Sequence, residues 1–216
     1  MSSMRISQEI EKQKKIGVLL VLTGPTAVGK DTIMQLLLER NNKLVRLVTT
    51  TSRPKRPNEV EGTDYFFVER PEFEKLMSEG AFLEWVEYLG HYKGTQMKHL
   101  KEALLTGHDV IWRIDVRGVK NIKQRVTEMV KDPEFPTCTS AFVFLTVPNL
   151  EILKSRMEKR ATETEQVQQQ GLDLAKWEMD QYDDSDYLVV NEEDREEGTA
   201  EKIEKIVEGE RYKINK

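Results

Sequence analysis

Apolar residues along the chain fall into two rhythms. Five short runs are almost unbroken and rich in β-branched residues: "IGVLLVL" at 16–22, "LVRLVTT" at 44–50, "HDVIWRID" at 108–115, "SAFVFLTV" at 140–147 and "DYLVVN" at 186–191. Runs of this length and composition predict strands buried on both faces. Between most of them, residues 31–40, 97–105, 117–131, 149–160, 172–183 and 199–209 carry apolar positions three or four apart with charged faces between, which predicts amphipathic helices. Strand and helix in alternation imply an α/β fold: a largely parallel sheet flanked by helices.

Two stretches break the alternation. Residues 50–95 hold the aromatic-rich segments "DYFFV" and "FLEWVEYLG" and a short helical pattern near 71–79, which suggests a small mixed lobe inserted into the core. Residues 161–171, "ATETEQVQQQG", are polar and lack an apolar period, so they read as a mobile connection. No repeat of 20 to 50 residues is present in the sequence.

Composition narrows the class. A chain of 216 residues has room for one core with small appended lobes. With 38% hydrophobic and 33% charged residues and a net charge of −5, it reads as a globular protein without a broad nucleic-acid or anionic-membrane footprint. The single cysteine, Cys138, cannot form an internal disulfide, and no apolar run approaches the ~20 residues of a membrane span, so a cytoplasmic protein is expected. Residues 1–15, "MSSMRISQEIEKQKK", read as an N-terminal extension that is neither a secretory signal nor a transit peptide.

The first candidate chemistry is "GPTAVGKDT", comprising Gly24, Pro25, Thr26, Ala27, Val28, Gly29, Lys30, Asp31 and Thr32. The spacing of Gly24, Gly29 and Lys30 is that of a phosphate-binding loop, and the flanking strand and helix patterns supply its context. Glycines allow positive φ and close backbone approach, so amide N–H groups and a helix N-terminus can face phosphate oxygens. Lys30 then neutralises charge on the β- and γ-phosphates. Asp31 stands where a serine or threonine hydroxyl normally meets magnesium. Two readings are open for it: an acid favoured by the helix macrodipole, or an oxygen ligand to Mg²⁺. Thr32 can still offer a hydroxyl to a phosphate.

Next comes "TTTSRPKRPNEVEGTDYFF", with Arg53 and Arg56 on a proline-stiffened loop before Tyr65. Two guanidiniums so placed suit a phosphate dianion, although taken alone they would read as a solvated basic turn. His91, His99, His108, Cys138 and the three tryptophans form no metal-ligand or nucleophile constellation.

On these motifs the chain resembles the guanylate kinase family. Arg53, Arg56, Glu59, Gly62, Asp64 and Tyr65 follow the family pattern R-x-x-R-x-x-E-x-x-G-x-D-Y, while "FLEWVEYLGHYKGT", "RIDVRG", "RMEKRATETE" and "LVVN" match further segments. The resemblance spans about residues 16 to 210. It implies a P-loop core at 16–48, 96–160 and 172–216, a GMP-binding lobe at 49–95 and a lid at 161–171. The implied reaction is ATP + GMP giving ADP + GDP with Mg²⁺, performed by a monomer or small homo-oligomer.

Carried over by position, Thr49, Glu84, Thr95 and Asp115 fall where the family recognises guanine, and Arg53, Arg56 and Tyr65 fall on the GMP phosphate. Arg156 and Arg160 fall on the lid helix, and Asn191 on the adenine side. Guanine chemistry supports Glu84, because one carboxylate can accept from N1–H and N2–H₂ together. Without the resemblance, Glu84 would read as the outer face of an alternating strand. Four positions depart from the family: Asp31, Lys93 for a phosphate-contacting tyrosine, Arg113 for an aspartate, and Gly171 for a lid arginine. Asp31 and Arg113 together exchange the positions of negative and positive charge. The alternative is a guanylate-kinase-like module that binds a phosphorylated or acidic partner without transfer; the presence of Lys30 argues for the enzyme.

Overall fold

The computed structural model describes residue 6 and residues 16–88, 90–158 and 165–213. In chain order the elements are β1 (Gly17–Thr23), α1 (Lys30–Arg40), β2 (Leu44–Arg46), β3 (Thr50–Thr51), β4 (Phe66–Phe67), α2 (Arg70–Ser78), β5 (Phe82–Tyr88) and β6 (His91–Gln96). They continue as α3 (Met97–Leu105), β7 (Asp109–Arg113), α4 (Val119–Met129), β8 (Cys138–Thr146), α5 (Leu150–Glu158), α6 (Glu165–Met179), β9 (Tyr187–Val190) and α7 (Glu196–Arg211).

The five apolar runs assemble into one parallel sheet in the order β2-β7-β1-β8-β9. Every residue of β1 is buried, as its unbroken apolar run requires of a central strand. Its side chains alternate between two cores. Val18, Leu20 and Leu22 pack with Ile33 and Leu37 of α1, Leu153 of α5, Ala175 of α6 and Ile203 of α7. Leu19 and Val21 face the other way, toward Leu100 and Leu104 of α3 and Val119, Ile122 and Val126 of α4. Because the chain first runs from β1 to one side of the sheet and later reaches β8 on the other, the carboxyl end of β1 is a topological switch point. Ligand crevices of open α/β sheets form at such points.

The inserted lobe carries a second sheet, β4-β3-β6-β5, with β3 parallel to β4 and antiparallel to β6. Its aromatic core explains the aromatic-rich sequence: Phe73 of α2 is fully buried, and its ring centroid lies 4.3 Å from Phe82 and 5.3 Å from Tyr92.

Two expectations are corrected. The run at 44–50 is a core strand only as far as Arg46. Beyond it the backbone turns to the lobe, where the Phe66 amide donates to the Thr49 carbonyl and Thr50–Thr51 form β3. The helix expected at 172–183 starts at Glu165 and ends at Met179, followed by a 3₁₀ turn at Tyr182–Asp184. Residues 165–171 are therefore helical rather than a connection. Glu and Gln are good intrinsic helix formers, so this polar stretch extends a helix whose packed second half follows it, without an apolar period to announce it. Residues 161–164 lie outside the described residues.

Candidate nucleotide site

The loop between β1 and α1 has the backbone a phosphate cradle needs. Gly24, Ala27 and Gly29 all have positive φ, at 139°, 63° and 99°. A Cβ on Gly24 would meet the Leu145 carbonyl oxygen at 2.1 Å, so only glycine allows β8 to approach this closely. Four side chains from other elements or from the loop's own helix fix the turn. Arg156 of α5 and Asn191, just after β9, each donate to the Val28 carbonyl at 2.8 Å. Lys30 at the start of α1 folds back to donate to the carbonyls of Gly24 and Pro25, at 2.6 and 2.9 Å. Glu178 of α6 accepts from the Thr26 amide at 2.6 Å.

Electrostatics at the loop centre on Lys30. Burial pushes its ammonium down to about 8, while the nearby Glu178 carboxylate works in the opposite direction and Arg113 adds to the depression. Glu178 is almost completely buried and was missed in the sequence reading. A signal existed: it lies three residues after the buried Ala175, on the inward stripe of α6.

Asp31 and Arg113, named in the sequence as departures, meet in space. Arg113 Nη1 lies 2.8 Å from both carboxylate oxygens of Asp31. Register explains the meeting, since Arg113 ends β7 opposite Leu22 of β1, just before the loop. Asp115, two residues on, caps the following 3₁₀ turn and binds Arg117 through both oxygens. Burial works to raise the Asp115 pKa, but the hydrogen bonds from Arg117 outweigh it and hold the carboxyl below its ordinary range.

In the lobe, the candidate residues sort into two groups. Lys93 Nζ donates to the Tyr65 hydroxyl at 2.9 Å, and the Arg53 guanidinium lies 5.7 Å from the Tyr65 ring centroid. Arg53 is paired with Glu59, which also accepts from the backbone N–H of Arg56 and so closes the loop on itself. The Arg56 side chain is exposed. In the second group, Glu84 and Thr95 face each other across β5 and β6, and the Thr95 hydroxyl donates to Glu84 at 2.8 Å. Burial raises the Glu84 pKa, with Asp115 close enough to raise it further and Lys93 opposing. Glu84 is thus an inward-facing acid rather than the outer face of a strand. Thr49 adjoins this sheet through its carbonyl, and Thr32 is exposed at the loop. Arg160 lies outside the described residues.

A divalent ion has no ready-made cage here: among the described residues no group of three or more His, Cys, Asp or Glu side chains could hold a metal. Oxygen donors at the loop include the Asp31 carboxylate and the Thr32 hydroxyl, besides Glu178, which is engaged with the Thr26 amide. That set fits Mg²⁺, which in nucleotide sites takes one or two carboxylates and completes its shell with phosphates and water. No helix among the described residues is long and apolar enough to cross a membrane.

Comparison with known proteins shows which family the chain is similar to. The guanylate kinase family model matches residues 17–210. The chain is 38% identical over 200 residues to the guanylate kinase of Lactococcus lactis subsp. lactis, covering 93% of this chain and 91% of that enzyme. Identity to the guanylate kinase of Streptococcus agalactiae serotype III is 38% over 201 residues, covering 93% and 90%. The crystal structure of guanylate kinase from Anaplasma phagocytophilum aligns with a TM-score of 0.65 at 30% identity, covering 92% of this chain and 88% of that one.

Proposed function

The chain belongs to the guanylate kinase family and phosphorylates GMP with ATP, and we propose how its residues divide that work. The ATP phosphates lie on the amides of Gly24–Thr32, with Lys30 exchanging its contacts to the Gly24 and Pro25 carbonyls for phosphate oxygens. Arg156, already at the loop through Val28, supplies a guanidinium toward the transferring group, joined by Arg160. Arg53, Arg56, Tyr65 and Lys93 hold the GMP phosphate. Glu84 and Thr95 read guanine, with Thr49 and Asp115 beside them. Asn191 serves the nucleotide side by bracing the loop.

A GMP phosphate oxygen attacks the γ-phosphorus, the bond to the β–γ bridging oxygen breaks, and ADP leaves as GDP forms. No covalent enzyme intermediate is needed: the residues align the two phosphates and offset their charge. Mg²⁺ bound with the nucleotide supplies additional charge neutralisation at the transferred oxygens. Base choice follows from Glu84, because adenine presents an acceptor at N1 and leaves a buried carboxylate unmatched.

The observation that carries this division is the inward Glu84–Thr95 pair on the lobe, with the Lys93–Tyr65–Arg53 cluster formed by the same lobe, Lys93 on its sheet and Tyr65 and Arg53 just beside β4 and β3. ADP release measured with GMP, AMP, CMP and UMP in turn tests it. GMP is expected to be used well ahead of the others, and equal use of AMP would remove Glu84 as the base reader.

A further inference from the structure

Asp31 and Arg113 come from different elements, 82 positions apart, and meet beside the phosphate loop. Asp31 occupies the loop position whose side chain ordinarily faces the nucleotide's metal. Arg113 stands at the carboxyl end of β7, at the switch point, close enough to Lys30 to disfavour its charge. Left alone, the Asp31 carboxylate would oppose every phosphate entering the loop. Paired with Arg113 it does not. The pair is also easily opened, since the Asp31 side chain is 71% exposed and a solvated ion pair is weakly held.

We propose that Arg113 is a displaceable counter-ion for Asp31: Mg²⁺ arriving with ATP takes the Asp31 carboxylate, and the released Arg113 guanidinium turns to the nucleotide phosphates. This rests on the reading of Gly24–Thr32 as the ATP loop. Charge at the mouth of the loop is balanced before and after binding. Before binding, guanidinium faces carboxylate. Afterwards the cation faces the carboxylate and the guanidinium faces the phosphates, adding one positive group to the metal and the loop lysine that a hydroxyl loop already has. Metal and nucleotide are thereby coupled, because the guanidinium becomes available when the metal replaces it on Asp31. A metal-free triphosphate meets either a guanidinium already engaged or, if it draws Arg113 away, an uncompensated carboxylate.

The test is calorimetric binding of adenylyl imidodiphosphate, a non-hydrolysable ATP analogue, in MgCl₂ and in EDTA, with thermal melts to verify folding. The quantity read is the ratio of the dissociation constant in EDTA to that in MgCl₂. Asp31→Asn is expected to lower this ratio about tenfold, by improving metal-free binding and weakening the magnesium complex. Arg113→Gln is expected to weaken the magnesium complex about tenfold, because the guanidinium assigned to its phosphates is gone. Arg113→Lys, which keeps the charge, is expected to hold the magnesium complex near its original affinity. Metal-free binding that improves in Asp31→Asn while the magnesium complex weakens in Arg113→Gln is not produced by a strut that merely holds the loop. An unchanged ratio in Asp31→Asn or an unchanged magnesium complex in Arg113→Gln, with binding lost in a Lys30→Ala control, would overturn the proposal and leave the loop as the ATP site. Undiminished binding by Lys30→Ala would instead remove the loop reading on which the proposal stands.

Discussion

In this structure the site cations lean on groups of the protein itself. Lys30 bonds two loop carbonyls with Glu178 nearby, Arg53 pairs with Glu59, and Arg117 pairs with Asp115. On the proposed division of residues, the partners of Lys30 and Arg53 hold those two side chains until phosphate replaces them, and the surroundings of Lys30 set how binding depends on pH. Lys30 is the clearest case, because its pKa stands at about 8 where an ordinary lysine stands at 10.5. Below about 8 it is protonated and ready for a polyanion. As pH rises through that value the free enzyme loses the charge, so ATP affinity is expected to fall, and binding above it should take up a proton. In Glu178→Gln the side-chain oxygen can still accept from Thr26, but the negative charge that favours the ammonium is gone. The fall should then begin at lower pH, which calorimetry in buffers of different ionisation enthalpy would detect. Glu84 moves the other way: burial raises its pKa, and only the carboxylate can accept both guanine donors. GMP efficiency should therefore decline on acidification at a higher pH than an ordinary glutamate dictates. Glu84→Gln should flatten that decline and cut the preference for GMP over AMP by about 10³-fold or more. A preference unchanged in the variant would mean that the base is read elsewhere.

At the scale of elements, what the sequence announced depended on how evenly each segment is buried. The inner core strands were legible because both faces are covered, leaving unbroken apolar runs such as Val18–Leu22, whereas at the sheet edges Leu188 of β9 is exposed and the run at 44–50 is a core strand only over Leu44–Arg46. Helix α6 was legible only in its second half, where Ala175 lies on the core. Its first half carries no apolar stripe in the sequence. The loop was legible through its glycines, whose positions follow from positive φ and, at Gly24, from the close approach of β8. Glu178 was not, since a buried acid on a charged helix looks like one more solvated residue. Gly171 ties these points together. It sits inside α6, where an added Cβ would meet Met157 Sδ at an ordinary 3.7 Å, so a side chain fits. Gly171→Ala should stabilise the helix by up to ~1 kcal/mol through backbone entropy. Gly171→Arg should do nearly the same and also bring a guanidinium to the helix that packs against α5, the bearer of Arg156. If the lid lacks a cation, turnover rises in the arginine variant and not in the alanine one, with GMP affinity little changed. Equal turnover in all three proteins would mean that Arg156, Arg160 or Lys93 already fills the role.

At the scale of the whole molecule, the two anion sites we propose lie beside two different sheets. The ATP loop grows from the parallel sheet, between β1 and α1, while the phosphate cluster of Arg53, Tyr65 and Lys93 belongs to the lobe sheet, with its own core around Phe73. The lobe returns to the core through α3, whose Leu100 and Leu104 pack beneath β1, and through Arg125 of α4, which donates to the Leu83 carbonyl of β5. On the proposed division of residues, the two phosphates bind to different sheets and transfer needs both, because attacking oxygen and γ-phosphorus are then held by different lobes. Single substitutions should therefore separate binding from chemistry in a crossed pattern. Lys30→Ala is expected to lower turnover by about 10³-fold or more while leaving the dissociation constant for GMP within about twofold. Arg53→Ala is expected to weaken GMP binding by about tenfold or more, since a charge-assisted bond is lost and Glu59 is left without its partner, while ATP affinity holds. Calorimetry with each nucleotide alone, beside turnover with both, reads all four quantities. Loss of GMP binding in Lys30→Ala would show that the two lobes order together, so that the loop lysine acts through the fold as well as on phosphate.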